Sequence, residues 1–253
     1  MTYGFATVGR MEWIKLRSLR STWWLLAGSI LAMAAAGAGV GIGYRGHEPL
    51  ATTAQIVNNS LSGAVLAQLL IGALGILAVT GDYSSGLARA TFAAVPRRRL
   101  VLAVKAVVAG VAMFAVGLVG SLVGFLSGQV AIAGTPIPTA SLWDPTVLRM
   151  VLLTAAYLGL VGLLGTGLGV LVRHTGAATG VLFAGLFVSM VAAGMLGPDA
   201  MPVTKFVPMI MLVNSIAVME PGLVSPWAGI GVMALYAGLA LGAGAVLLTR
   251  RDV

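Results

Sequence analysis

Polar positions along this chain interrupt apolar runs and do not alternate through them. Six intervals carry no charged residue, at 21–44, 49–81, 106–143, 150–172, 174–198 and 221–249. Each exceeds the roughly 18 apolar residues that a membrane-crossing helix requires. A seventh, 206–219, is apolar but 14 residues long, the length of a re-entrant or interfacial segment. Transmembrane barrel strands would alternate in polarity over about ten residues, whereas Leu66–Val79 and Val151–Val172 show no such alternation. The pattern predicts an all-α membrane protein with spans near 22–43, 61–80, 105–128, 149–172, 177–197 and 227–249, forming a single transmembrane domain over 1–253. It also predicts an interfacial helix at 8–20 and a re-entrant segment at 204–219, before the sixth span and broken at Pro208, since backbone that dips into a membrane must be helical or shielded by protein.

Composition strengthens this reading. The 253 residues are 59% hydrophobic and include only 15 basic and 7 acidic side chains, far below the roughly 25% charge of soluble domains. Twelve of the basic residues fall on one side of the predicted spans; Arg45, Arg149 and Lys205 fall on the other. Cytoplasmic loops carry the Lys and Arg excess, so both termini are predicted to be cytoplasmic. The apolar stretch from Thr22 to Gly43 is longer than the hydrophobic region of a signal peptide. Arg outnumbers Lys twelve to three in a chain rich in Ala, Gly and Val, which points to a GC-rich bacterial genome and a plasma-membrane location. Asn58-Asn59-Ser60 is then a chance glycosylation match. The basic residues cluster at span ends and form no stripe, so no nucleic-acid partner is predicted.

Between the second and third spans lies Gly-Asp-Tyr-Ser-Ser-Gly at 81–86. Asp82 is the expected N-cap of a short helix at 83–94, which Pro96 ends before Arg97, Arg98 and Arg99. A compact surface helix and a solvated basic connector are both consistent with this loop. Before the first span, Val8, Met11 and Ile14 share one helical face, with Arg10, Arg17 and Arg20 roughly opposite. Gln68 lies at membrane depth, where it meets another helix or an aqueous path. Glycines four residues apart, at 37 and 41, 120, 124 and 128, 165 and 169, 176 and 180, and 238 and 242, predict close helix packing. Arg173-His174-Thr175-Gly176 makes a short turn between the fourth and fifth spans.

Several chemistries are missing. The chain has no cysteine, and no Gly-Lys pair that could form a phosphate loop. His47 and His174 are assigned to opposite sides of the membrane, and no Asp or Glu falls inside the six intervals. This weighs against metal, intramembrane hydrolase and ion-coupled carrier functions. No catalytic residue, metal site or bound cofactor is predicted.

Three stretches carry a family resemblance. They are Glu12-Trp13-Ile14-Lys15-Leu16-Arg17, the loop GDYSSGLARATFAAVPRRRLVLAVK, and the closing Leu248-Thr249-Arg250-Arg251-Asp252-Val253. Together they resemble the ABC-2 type permeases, the membrane subunits of ATP-binding-cassette exporters. The loop pattern falls on Asp82, Tyr83, Gly86, Pro96, Arg97, Arg98 and Lys105, with Asp82 where members often have Glu, and Arg89 lies on the short helix between them. The resemblance implies a six-helix subunit that dimerises with itself or a related permease. It also implies a separate ATP-binding-cassette subunit, carrying ATP and Mg, that binds at the pre-helix and first inner loop, coupling through Glu12, Lys15, Arg17 and the loop residues. The second and fifth helices would line the dimer axis, bringing Gln68, Thr179 and Ser189 near the substrate path. The alternative is a non-transporting assembly or regulatory protein with the same fold.

Overall fold

The computed structural model of the chain describes residues 4–44, 52–196, 200–216 and 224–250, without the side chains of 214–216. Arg45, His47, Arg251 and positions 217–219 of the expected re-entrant segment lie outside the described residues. The helices are α1 (Phe5–Ser18), α2 (Arg20–Tyr44), α3 (Thr53–Ser60), α4 (Ala64–Ser84), α5 (Leu87–Ala94), α6 (Arg98–Ile132) and α7 (Pro145–Val172). They continue with α8 (Thr175–Phe183), α9 (Ser189–Leu196), α10 (Met201–Thr204), α11 (Pro208–Ile216) and α12 (Pro226–Arg250). Among the described residues, six helical stretches are long and apolar enough to cross a membrane: α2, α3 with α4, α6, α7, α8 through α9, and α12. These stretches make the chain a multi-pass membrane protein, with helices and no strand among the described residues.

Local chemistry sets the helix ends. Asp144 accepts the Thr146 amide at 2.8 Å and Pro145 takes the first position of α7, so that helix starts before the predicted 149. Thr52 and Gln55 form a reciprocal capping box, and the stretch 53–60, expected as loop, is helix α3. The third span, expected at 105–128, belongs to a helix of 35 residues, about 50 Å long at 1.5 Å per residue. Charge marks where lipid ends, but nothing from Arg98 to Ile132 breaks the helix, so α6 runs past the roughly 30 Å of hydrocarbon. The fifth span is not one regular helix, because a π-helical turn at 184–188 separates α8 from α9. In the pre-sixth segment helix α10 ends at Thr204, and after a turn over 205–207 Pro208 opens α11.

α4 and α7 form the centre of the bundle. The apolar windows of α3–α4 and α7 are 67% and 61% buried, against 17% for α8–α9 and for α12. Their contact is close: a Cβ at Gly75 would overlap the Gly162 carbonyl, and one at Gly165 would overlap that of Gly72. α2 packs on α6 in the same way, with Gly37 over the Gly124 carbonyl. Around these pairs, α6 and α12 flank α7, and α11 packs on α12 and α7.

Candidate functional site

Four charged side chains from three helices converge at one end of the bundle. α1 contributes Glu12 and Lys15, three residues apart and therefore on one face. α4 contributes Asp82 in its last turn, and α6 contributes Lys105. Lys105 Nζ lies 2.5 Å from Glu12 Oε2 and 2.9 Å from Asp82 Oδ2. Lys15 Nζ lies 3.1 Å from Glu12 Oε1 and 3.2 Å from the same Asp82 oxygen. Each ammonium thus bridges both carboxylates, and the four formal charges cancel.

Both ammoniums have all three N–H donors engaged. Lys105 gives its third to the Ala78 carbonyl at 2.9 Å, and Lys15 its third to the Thr91 hydroxyl at 3.4 Å. Thr91 is buried on α5, so the cluster also reaches the surface helix of the first loop. The Glu12 side chain is only 3% exposed. The buried Glu12 and partly buried Asp82 carboxylates at this spacing require the two cations, since burying an unpaired charge costs several kcal/mol. Beside the cluster is a cavity of about 190 Å³ lined by Ser18 and Ser85 as well as the four charges.

Two of the expectations are corrected here. Asp82 is not the cap of the loop helix. Its carboxylate is taken by the two lysines, α4 continues through it to Ser84, and α5 begins at Leu87 rather than 83. The N-cap position belongs to Gly86 at φ +74°, a left-handed conformation that glycine adopts without strain. On α1, the face turned to the protein carries Val8, Glu12 and Lys15, while Ile14 and Trp13 are more than half exposed. The ion pairs and the Val8 contact with Val101 and Val104 set this rotation.

The remaining loop residues surround the cluster. The Arg173 guanidinium lies 5.1 Å over the Tyr83 ring. Arg98 lies 5.7 Å over Phe92 and donates to the Leu248 carbonyl at 3.0 Å, which places a cation at the negative C-terminal end of α12. Arg89 on α5, Pro96 and Arg97 are exposed and stand outside the ion network. Arg17 is exposed too, and its backbone carbonyl accepts the Trp23 indole N–H at 3.0 Å. Thr91, Arg173 and the Ala78 carbonyl were missed at the sequence level. Arg173 had a readable signal, a cation just past the end of a long helix, but Thr91 had none.

Gln68 is fully buried. It accepts from the Tyr157 hydroxyl at 2.8 Å and its amide contacts Met209 Sδ at 3.1 Å, so it joins α4 to α7 and α11. Thr179 and Ser189 donate to carbonyls of their own helical stretch, Thr175 and Gly185. The structure does not bring these three side chains together. Among the described residues, no three His, Cys, Asp or Glu side chains are grouped to hold a metal ion. The arrangement fixes two surface helices, α1 and α5, to α4 and α6. No known family model matches the chain, and no curated protein matches it either.

Proposed function

We propose that this chain is the membrane-spanning subunit of an ATP-driven exporter of the ABC-2 type, in a bacterial plasma membrane. It would work as a dimer of permeases with separate ATP-binding-cassette subunits on the face that carries α1 and α5. The observation behind this reading is the charge cluster, which ties α1 and α5 to α4 and α6 through Glu12, Lys15, Asp82, Thr91 and Lys105. A push on either surface helix is then delivered to the inner ends of two spans. ATP acts only through its different affinity for two states of the assembly, so the surface it moves must be rigidly joined to the spans. Exposed Arg89, Pro96 and Arg97 supply the docking face, and Gly86 permits the turn that presents it.

Affinity capture of the chain in mild detergent should bring down an ATP-binding-cassette subunit with Mg-dependent ATPase activity. Arg89→Glu should reduce that capture, and Gly86→Val should uncouple ATPase activity from substrate. Unchanged capture and unchanged substrate-stimulated ATPase in both variants would sink the coupling role. Capture of the ATPase without any ATP-dependent substrate movement would favour the assembly or regulatory alternative.

A further inference from the structure

A second, larger cavity lies next to the one at the charge cluster and shares Leu16 and Ala109 with it. It occupies about 490 Å³ between α1, α2 and α6, with Leu74 of α4 at its floor, a size typical of small-molecule sites. The helix geometry explains why it exists. α2 and α6 touch at Gly37 and Gly124, and the cavity lies further along the pair, beside the elbow where Leu19, in extended conformation, turns α1 into α2. Along this stretch α6 presents three alanines, Ala109, Ala112 and Ala115, whose short side chains leave space. The lined part of α6, Ala109–Val116, is roughly 10 Å long.

The walls are apolar except for buried Thr22 and, at the mouth, Arg17. Arg17 lies two residues from Lys15, but its guanidinium is exposed and makes no ion pair among the described residues. Trp13 and Trp23 flank it, each about half exposed, and the Trp23 indole is anchored to the Arg17 carbonyl at 3.0 Å. Arg10 and Arg20 are exposed on the same two helices. Tryptophan concentrates at the headgroup level of a bilayer, and a guanidinium fork matches phosphate oxygens. Below that level the slot opens among membrane-length helices, where Thr22 alone falls short of the several polar partners a buried water needs and an empty slot forfeits its dispersion contacts.

We propose that this groove holds one anionic phospholipid, an acyl chain in the slot and the phosphate on Arg17 between Trp13 and Trp23. The assignment depends only on membrane embedding and stands whether or not the chain is a transporter subunit. A basic mouth over a hydrocarbon-lined slot selects lipid charge as well as lipid chain.

Native mass spectrometry of the purified chain, with phosphatidylglycerol and phosphatidylcholine supplied at equal concentration, tests it. One phosphatidylglycerol should be retained over phosphatidylcholine by about tenfold, because both lipids offer a phosphate but the choline ammonium of the second cancels the headgroup charge that faces exposed Arg10, Arg17 and Arg20. Ala112→Phe, which fills the slot, should lose the lipid. Arg17→Gln, an exposed change that leaves the packing untouched, should keep a lipid but bring the preference close to one. Equal binding of both lipids by the wild type, or a preference unmoved in Arg17→Gln, would overturn the proposal. So would displacement by glycerol phosphate alone, which would mean that no acyl chain is held. Loss of a dimer in Ala112→Phe, with no lipid on the wild type, would assign the groove to a second copy instead.

Discussion

At the scale of single residues, Lys105 is the most exposed to test. Its side chain is 10% exposed and faces both Glu12 and Asp82. Lys105→Ala leaves two carboxylates with Lys15 alone, and breaking a buried pair by removing one partner costs about 3–5 kcal/mol. The variant should therefore lose much of its thermal stability in detergent. Replacing both members, as in Glu12→Leu with Lys105→Leu, should cost less than Lys105→Ala, because no uncompensated charge stays buried. Unfolding midpoints by intrinsic fluorescence would order the three proteins; a double variant worse than the single one would show that packing, not charge, governs the site. The four charged residues stood out in the sequence through a resemblance, Glu12 and Lys15 in the stretch before the first span and Asp82 and Lys105 in the first loop. Their arrangement did not. Asp82 read equally well as a cap, because a helix start and an ion pair ask for the same side chain, and only the chain's return path decides which group reaches it. Thr91 gave no sign at all, as a hydroxyl on a short alanine-rich helix has many unremarkable uses.

Among the helices, glycine spacing illustrates what pattern alone leaves open. The pair at 238 and 242 has the same four-residue interval as the set at 120, 124 and 128, but a Cβ at 238 or 242 meets open space, whereas one at 124 meets the Met33 carbonyl. Every face of these helices is apolar, so sequence periodicity does not say which face meets another helix and which meets lipid. Gly75 and Gly242 make a controlled comparison. At Gly75 an added methyl overlaps the Gly162 carbonyl, and forcing α4 from α7 should cost about 1–3 kcal/mol. At Gly242, with no neighbour in the way, alanine should be neutral or stabilise by roughly 0.5–1 kcal/mol through reduced backbone freedom. Denaturant titration of helical circular dichroism in mixed micelles would read both; equal losses would mean that α12 is packed on that face in the membrane assembly. Helix existence was legible because lipid imposes a cost on each charged residue. Helix ends were not, because α6 and α4 continue beyond the hydrocarbon and a charge there costs little.

For the whole molecule the decisive quantity is which end of the bundle faces the cytoplasm. The contacts gather Lys15, Lys105, Arg98 and Arg173 at the end that carries the last turns of α4 and α12, as the charge asymmetry of the loops requires if those ends share a compartment. The positive-inside rule predicts that this compartment is the cytoplasm, as the proposed docking of an ATP-binding subunit requires. Because the chain has no cysteine, one engineered thiol per variant reports its side without a background to remove. Ala94 is exposed at the end of α5, on the basic side, and Trp143 is 88% exposed on the loop before α7, at the opposite end. A membrane-impermeant maleimide added to spheroplasts should label Trp143→Cys and spare Ala94→Cys, and inverted vesicles should reverse the pair. The same reagent with both variants in detergent checks that each thiol is reactive. Labelling in the opposite sense would place α5, the arginine cluster and both termini outside the cell. The exporter reading would then fail whatever the detail of the charge cluster, since its docking surface would face a compartment without ATP.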